Sequence, residues 1–422
     1  MSELLDRHNA VMGLDAPLFY EEPIQLVRGE GVWLFDEHDN RFLDLYNNVP
    51  CVGHANPRVV EAMKRQMATL NVHSRYLHEN VIAYAERLVD LHHDGLTSMI
   101  FACTGSEANE VAMMMARVAT GKLGIIGTDA TYHGNTPEVA KLTHLPVDGK
   151  RQGVGAIATP QRFRPLVDGL DDRQLCDLHI GQLEDRINEF EADGPGFAGV
   201  LLCSILANEG LAEAPTGFFG RAVDVVHDAG GLVIADEVQA GFGRSGSWWG
   251  YQTSGFVPDI VTLGKPMGNG LPVAGVVASH DLVTGFRRKH RYFNTFAASP
   301  LQAAAGSAVI DEIEDRKLVA RADRIGERIR AELGGLADDD PRMGDSWGLG
   351  MFTGIDWVVP GTTEPDVAGA GAMVEAMKSR NILMGRAGQH GNVLKIRPPL
   401  VFDDEHADLF LGAFADALSS VD

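Results

Sequence analysis

The apolar residues of this chain change their period several times, and each change marks an element. Near the N-terminus three short apolar runs, 24–28, 32–35 and 41–45, are separated by Gly29-Glu30-Gly31 and by the polar stretch Asp36-Glu37-His38-Asp39-Asn40. Short runs between turn residues predict a small β-meander. After Asn56 the spacing lengthens: Val59, Met63, Met67 and Leu70 recur at intervals of four, four and three, with Asn56 placed to cap and Pro57 at the first helical position. That pattern predicts an amphipathic helix. From about residue 98 to residue 300, short apolar runs alternate with helical patterns: 98–103 then 107–119, then 124–127, 199–202, 220–228, 231–235, 259–263 and 275–278. Buried strands alternating with helices predict βα units and a mainly parallel sheet covered on both faces.

Beyond residue 300 the pattern turns helical. Residues 301–334 carry Leu318, Ile325, Ile329 and Leu333 on one face, and 365–380 and 403–421 add helices around a strand at 393–397. Residues 143–175 show little periodicity, and no internal repeat or low-complexity tract interrupts the chain. The predicted class is α/β: residues 55–300 form a large domain, while 1–54 and 301–422 together form a smaller α+β domain. With 422 residues the core is large enough to need no staple.

Composition narrows the function. The 58 acidic and 36 basic residues leave a formal charge of −22, and no run of Lys and Arg stands out, so neither a nucleic-acid backbone nor an anionic membrane is an expected partner. Glu3, Asp6, Arg7 and Asp15 break up the first 20 residues, and no window approaches ~18 uncharged apolar residues. A soluble, cytoplasmic protein is expected. The four cysteines, Cys51, Cys103, Cys176 and Cys203, form no C-x-x-C pair, which fits a reducing compartment and argues against a zinc ribbon. His73, His78, His92 and His93 fit no metal-ligand spacing. The 48 glycines exceed the usual ~7% and cluster beside apolar runs, as loops shaped around a ligand would.

In open parallel sheets, ligands sit beyond the carboxyl ends of the strands, so the residues just after each apolar run carry the chemistry. Lys265 follows Ile260-Val261-Thr262-Leu263-Gly264. A lysine there is either a desolvated nucleophile able to form a Schiff base or a partner in a sheet-end ion pair. Asp236, after Val233-Ile234-Ala235, tips the balance, because a pyridinium nitrogen needs a carboxylate partner and pyridoxal phosphate enzymes pair such an acid with a Schiff-base lysine. Gly105 and Ser106 precede a helix whose free N–H groups can hold a phosphate, and Tyr132 offers an aromatic face for a planar ring. Gly241-Phe242-Gly243-Arg244-Ser245-Gly246 matches the dinucleotide fingerprint in letters alone. Trp248, Trp249 and Gly250 follow it where a helix is required, so a nucleotide-binding dehydrogenase is a rival of little weight.

Assembled, these residues resemble the class III, fold type I pyridoxal-phosphate enzymes, the aminotransferase family that includes 4-aminobutyrate, ornithine and alanine–glyoxylate aminotransferases. The resemblance covers nearly the whole chain. It rests on Thr104-Gly105-Ser106-Glu107-Ala108-Asn109, Tyr132-His133-Gly134, the run from Ala235-Asp236-Glu237-Val238-Gln239 to Gly243-Arg244, Pro258-Asp259 through Gly264-Lys265, and Asn294-Thr295-Phe296. It implies a large domain with a seven-stranded type of sheet and pyridoxal 5′-phosphate as cofactor. Lys265 would form the Schiff base and act as catalytic base, Asp236 would meet the ring nitrogen, Val238 and Tyr132 would sandwich the ring, and Gln239 would reach its hydroxyl. Gly105 and Ser106 would hold the cofactor phosphate together with Thr295 of a neighbouring subunit, which implies a homodimer with shared active sites.

The same resemblance implies which reaction to expect. Family members that use 2-oxoglutarate carry an arginine near the C-terminus to grip the acceptor; in Asn392-Val393-Leu394-Lys395-Ile396-Arg397-Pro398-Pro399 the aligned position is Lys395. The acidic residue that they place after the strand at Gly199 is replaced by Cys203-Ser204. Together with Asn48-Val49, Val52-Gly53-His54 and Ser74-Arg75-Tyr76-Leu77-His78, the pattern looks like the ethanolamine-phosphate phospho-lyase branch. Expulsion of a β-phosphate would need fixed cations, for which Arg75, Lys395 and Arg397, with Asn48 beside them, are the candidates, and Arg28, Arg162 and Arg164 are further ones. The runner-up is an ω-aminotransferase that uses pyruvate or another small keto acid.

Overall fold

A computed structural model of the protein describes residues 3–149 and 151–421. The predicted meander is present as β1 (Leu26–Glu30), β2 (Trp33–Asp36) and β3 (Arg41–Asp44), paired antiparallel. The alternating region supplies β4 (Ser98–Ala102), β5 (Gly124–Thr128), β6 (Val154–Ile157), β7 (Phe197–Cys203), β8 (Leu232–Asp236), β9 (Ile260–Leu263) and β10 (Ala274–Ala278). These seven form one sheet in the order β4-β10-β9-β8-β7-β5-β6, parallel except for β10, which runs antiparallel to β4 and β9. Every residue of β5, β7 and β10 is buried, because helices cover both faces, and that is why these strands read as unbroken apolar runs.

The C-terminal region adds β11 (Met343–Leu349), β12 (Phe352–Trp357), β13 (Ile382–Leu383), β14 (Gly385–Ala387) and β15 (Val393–Ile396). Four of them form an antiparallel sheet in the order β11-β12-β15-β14, and β13 joins the N-terminal meander beside β3. Three elements escaped the sequence pattern for physical reasons. β6 has four residues, too few to show a period. β11 is rich in Gly, Asp and Ser and has one half-exposed face. The helix Asp172–Asp193 carries its buried Leu175, Cys176, Ile180, Leu183 and Ile187 as a narrow stripe among charged residues.

Two helix starts follow their sequences closely. Asn56 Oδ1 accepts from the N–H groups of Arg58 and Val59 at 3.0 and 3.3 Å, capping the helix Pro57–Met67. Thr104 Oγ1 accepts from Glu107 N–H at 3.1 Å and caps the helix Gly105–Thr120, whose buried face packs on the large sheet. Because β4, β9, β8, β7 and β5 all run in one direction, their carboxyl ends open on the same side. The segments that follow them converge there.

Candidate active site

Gly105, Ser106, Tyr132, Asp236, Val238, Gln239 and Lys265 line one cavity of ≈ 110 Å³, together with His133, Gly134, Cys203 and Asn208. Register accounts for the central pair. Asp236 ends β8 opposite Thr262 of β9, and Lys265 lies three residues beyond that partner. A carboxylate and an amine therefore face one space from adjacent strands.

Asp236 is buried but fully engaged. Its Oδ2 accepts from His133 Nδ1 at 2.6 Å and from Asn109 Nδ2 at 2.9 Å, and its Oδ1 accepts from Val238 N–H at 2.9 Å. Burial alone would raise the carboxyl pKa; the His133 hydrogen bond and charge, with the other donors and the nearby Lys265, outweigh burial and hold it below the ordinary value. The donors are themselves fixed: His133 Nε2 meets Thr131 Oγ1 at 2.7 Å, and Asn109 Oδ1 accepts from Thr262 Oγ1 at 2.6 Å. The carboxylate thus keeps its charge and its orientation. Lys265 is shifted the opposite way, since burial and the positive charge of Arg397 lower its pKa while Asp236 pulls against them. A lysine with a lowered pKa has more of the neutral amine that a nucleophile or base requires.

The walls are set by backbone. A Cβ on Gly105 would stand 2.7 Å from Val238 Cγ1, and one on Gly264 would stand 3.2 Å from the same atom. Val238 therefore presses against a glycine floor at a height that no other residue allows. Asn135 N–H donates to Ser106 Oγ at 3.2 Å, which ties the loop after β5 to the N-terminus of the helix Gly105–Thr120.

The opposite side of the cavity is cationic. Lys395 and Arg397 are each 5% exposed. Lys395 Nζ donates to Ala207 O at 3.1 Å and to Gln239 Oε1 at 3.4 Å. Arg397 donates through Nε and Nη2 to Tyr46 O at 2.8 and 2.6 Å, and through Nη1 to Gln239 Oε1 at 2.5 Å. Neither forms an ion pair with any carboxylate among the described residues. Burial, and then the charges of Arg397 and Lys265, push the Lys395 pKa well down, and burial lowers that of Arg397. With two cations donating to its Oε1, Gln239 must turn Nε2 the other way, where it donates to Asn208 Oδ1 at 2.8 Å. Asn48 is buried beneath, donating to Gln239 O at 3.0 Å while its Oδ1 has no partner.

Other expected residues lie elsewhere. Arg75 is exposed and stacks on Phe293 with its guanidinium carbon 4.1 Å from the ring centroid, and Thr295 is exposed; neither lines the cavity of its own chain. Arg28 pairs with Glu30 and Asp39, Arg162 with Asp172 and Glu213, and Arg164 with Asp356, so these three are consumed by ion pairs. The Gly241 motif forms turns that pack against Trp249 and Val319. Among the described residues no group of His, Cys, Asp and Glu is placed to hold a metal ion, and no helix is long and apolar enough to cross a membrane. All four cysteines are free thiols. Sequence reasoning assigned no role to Asn109, His133 or Asn208. Asn109 and His133 sit inside motifs it had quoted, but Asn208 follows β7 with no recognisable signal.

These groups fit pyridoxal 5′-phosphate. A charged carboxylate faces the position of a ring nitrogen, a half-buried amine faces an aldehyde, a glycine floor and Val238 leave room for a flat ring, and a capped helix N-terminus lies where a phosphate would rest. Comparison with known proteins agrees. The family model described as aminotransferase class-III matches residues 19–418. A Drosophila melanogaster protein described as alanine–glyoxylate aminotransferase 2-like is 35% identical, with 100% of this chain and 87% of that protein covered. The Caenorhabditis elegans ethanolamine-phosphate phospho-lyase homolog 1 is 33% identical over 96% of this chain and 90% of its own length. A phospholyase from Arthrobacter, solved in complex with phosphoethanolamine, superposes with a TM-score of 0.95 at 41% identity, covering 100% of both chains.

Proposed function

The chain belongs to the class-III aminotransferase family of pyridoxal-phosphate enzymes, and within it we propose that this enzyme is a lyase that eliminates phosphate from O-phosphoethanolamine, giving acetaldehyde, ammonia and phosphate. The observation that carries the reading is the buried pair Lys395 and Arg397, placed against a cavity residue with no carboxylate to neutralise them. Buried cations without a counter-ion are costly, and a dianionic ligand compensates both at once. The description of the Arthrobacter relative as a complex with phosphoethanolamine adds support.

Bound in the cavity, pyridoxal phosphate supplies the electron sink for the pair left when a proton departs from the carbon bearing the amine. The remaining work falls to the chain. Lys265, its pKa lowered by burial, removes that proton. Asp236, held ionised by His133 and Asn109, keeps the ring nitrogen charged. Lys395 and Arg397 hold the phosphate oxygens and take up the charge that builds as the C–O bond breaks. Hydrolysis by water of the resulting unsaturated amine then yields the aldehyde and ammonia, balancing phosphoethanolamine and water against the three products.

We include in the reading a homodimer, in which exposed Thr295 reaches the cofactor phosphate of the partner subunit, and a cytoplasmic setting, which the free thiols suit. The deciding experiment supplies O-phosphoethanolamine without any keto acid and assays inorganic phosphate. Release of phosphate is expected. No release, with alanine forming when pyruvate and an unphosphorylated amine are supplied, would replace the lyase by an ω-aminotransferase.

A further inference from the structure

Asn208 sits at a junction that the mechanism above does not use. Its Oδ1 accepts from Gln239 Nε2 at 2.8 Å, and its Nδ2 donates to Tyr132 O at 2.7 Å. Its own N–H belongs to the peptide group whose carbonyl, Ala207 O, accepts from Lys395 Nζ at 3.1 Å. One half-buried side chain therefore touches the tyrosine over the ring site and the glutamine that the two cations hold, and its backbone carries the lysine itself. The side chain is neutral. The next residue, Glu209, is acidic and 6% exposed, but its oxygens are turned away: Oε1 accepts from Thr128 Oγ1 at 2.6 Å and Oε2 from Asn208 N–H at 3.1 Å.

We propose that Asn208 is a specificity-determining residue: it supplies the acceptor that orients Gln239 while withholding the negative charge that would neutralise Lys395 and Arg397, so that the cation pair stays available for a dianionic phosphate. A carboxylate at this position would satisfy Gln239 equally well, since it too accepts from Nε2. It would also stand beside the peptide that Lys395 grips, where an opposite charge in a partly desolvated site competes directly with a ligand anion. Asparagine has the same shape and hydrogen-bonds the same glutamine, yet leaves the site electropositive. The proposal rests on the phospho-lyase reading for its substrate. It is tested on binding, so that the two can fail separately.

The test is calorimetric titration of the holoenzyme with inorganic phosphate, for the native protein, Asn208→Asp and Asn208→Ala. The native enzyme is expected to bind phosphate, Asn208→Asp to bind it about tenfold or more weakly, and Asn208→Ala to stay within about threefold, because alanine removes the hydrogen bonds without adding charge. The cofactor absorption band, read on the same samples, reports whether Tyr132 and Gln239 still bracket the ring. It is expected to shift in Asn208→Ala, which frees both. Equal phosphate affinity in the native enzyme and Asn208→Asp overturns the proposal, as does a native holoenzyme that binds no phosphate. If Asn208→Asp does not fold, a loss of phosphate affinity in Asn208→Ala well beyond threefold overturns it, because the hydrogen bonds and not the charge would then control the site. Failure of the native enzyme to release phosphate from O-phosphoethanolamine would instead remove the lyase reading and leave the calorimetric result standing.

Discussion

The two sides of the cavity hold charge in opposite ways. Around Asp236 the fold itself supplies every partner: three donors meet one carboxylate, and those donors are fixed by Thr131 and Thr262. Around Lys395 and Arg397 the fold supplies only neutral carbonyl oxygens, from Ala207, Tyr46 and the Gln239 side chain. One side is complete before any ligand arrives. The other stores an electrostatic deficit that a ligand must relieve. The difference separates a site for a resident group, which needs an unchanging environment, from a site for a transient anion, whose binding energy comes from correcting an unfavourable arrangement.

Substitutions can break that contrast. The largest effect is expected at the residue between the two sides: Lys265→Ala should lower kcat by about 10³–10⁴-fold, with loss of the borohydride-sensitive visible band. Next is Asp236→Asn on the complete side. It should lower kcat by about 10²–10³-fold, and because an amide cannot accept from all three donors, it should also destabilise the protein by about 1–3 kcal/mol in denaturant titration. Lys395→Met on the incomplete side should have the opposite sign in stability. Removing a buried, uncompensated cation is expected to stabilise the ligand-free protein by about 1 kcal/mol, while the KM for O-phosphoethanolamine rises about tenfold or more. Loss of stability in both variants would erase the distinction.

The smallest effect sharpens the comparison through pH. The folded-state pKa of Lys395 lies well below its ordinary 10.5, so between those values the unfolded chain binds more protons than the folded one, and stability rises with pH across that window. The native protein should show this slope and Lys395→Met should lack it. A dianion reverses the bias, favouring the protonated lysine, so phosphate binding should take up a proton and weaken as pH rises through the lowered pKa. Calorimetry in two buffers of different ionisation heat measures the uptake directly.

Much of this was legible beforehand, and unevenly so. Asp236, Lys265, Gly105, Ser106 and Tyr132 could be found because a parallel sheet puts ligands at strand ends, and an apolar run announces each end. Lys395 and Arg397 were visible only through their resemblance to a phospho-lyase pattern; alone, alternating residues on a C-terminal strand read as an ordinary half-buried edge. Their burial comes from β12 and the Tyr46 segment packing over them, a long-range fact that no local period encodes. Asn208 was invisible for the same reason. Its meaning lies in three hydrogen bonds, two to residues 31 and 76 positions away and one through its peptide to a lysine near the C-terminus. The third sheet was missed because Met343–Leu349 trades apolar alternation for glycine and polar residues.

The fastening of Arg397 to Tyr46 also sets a schedule. The arginine is 351 positions downstream of the carbonyl that holds it, and Lys395 is almost as late. During synthesis the strands that carry Gly105, Asp236 and Lys265 leave the ribosome well before the residues that recognise the substrate. For most of its time as a nascent chain the protein has the makings of a cofactor cradle and no means of selecting what that cofactor acts on. Selectivity is the last property the growing polypeptide acquires.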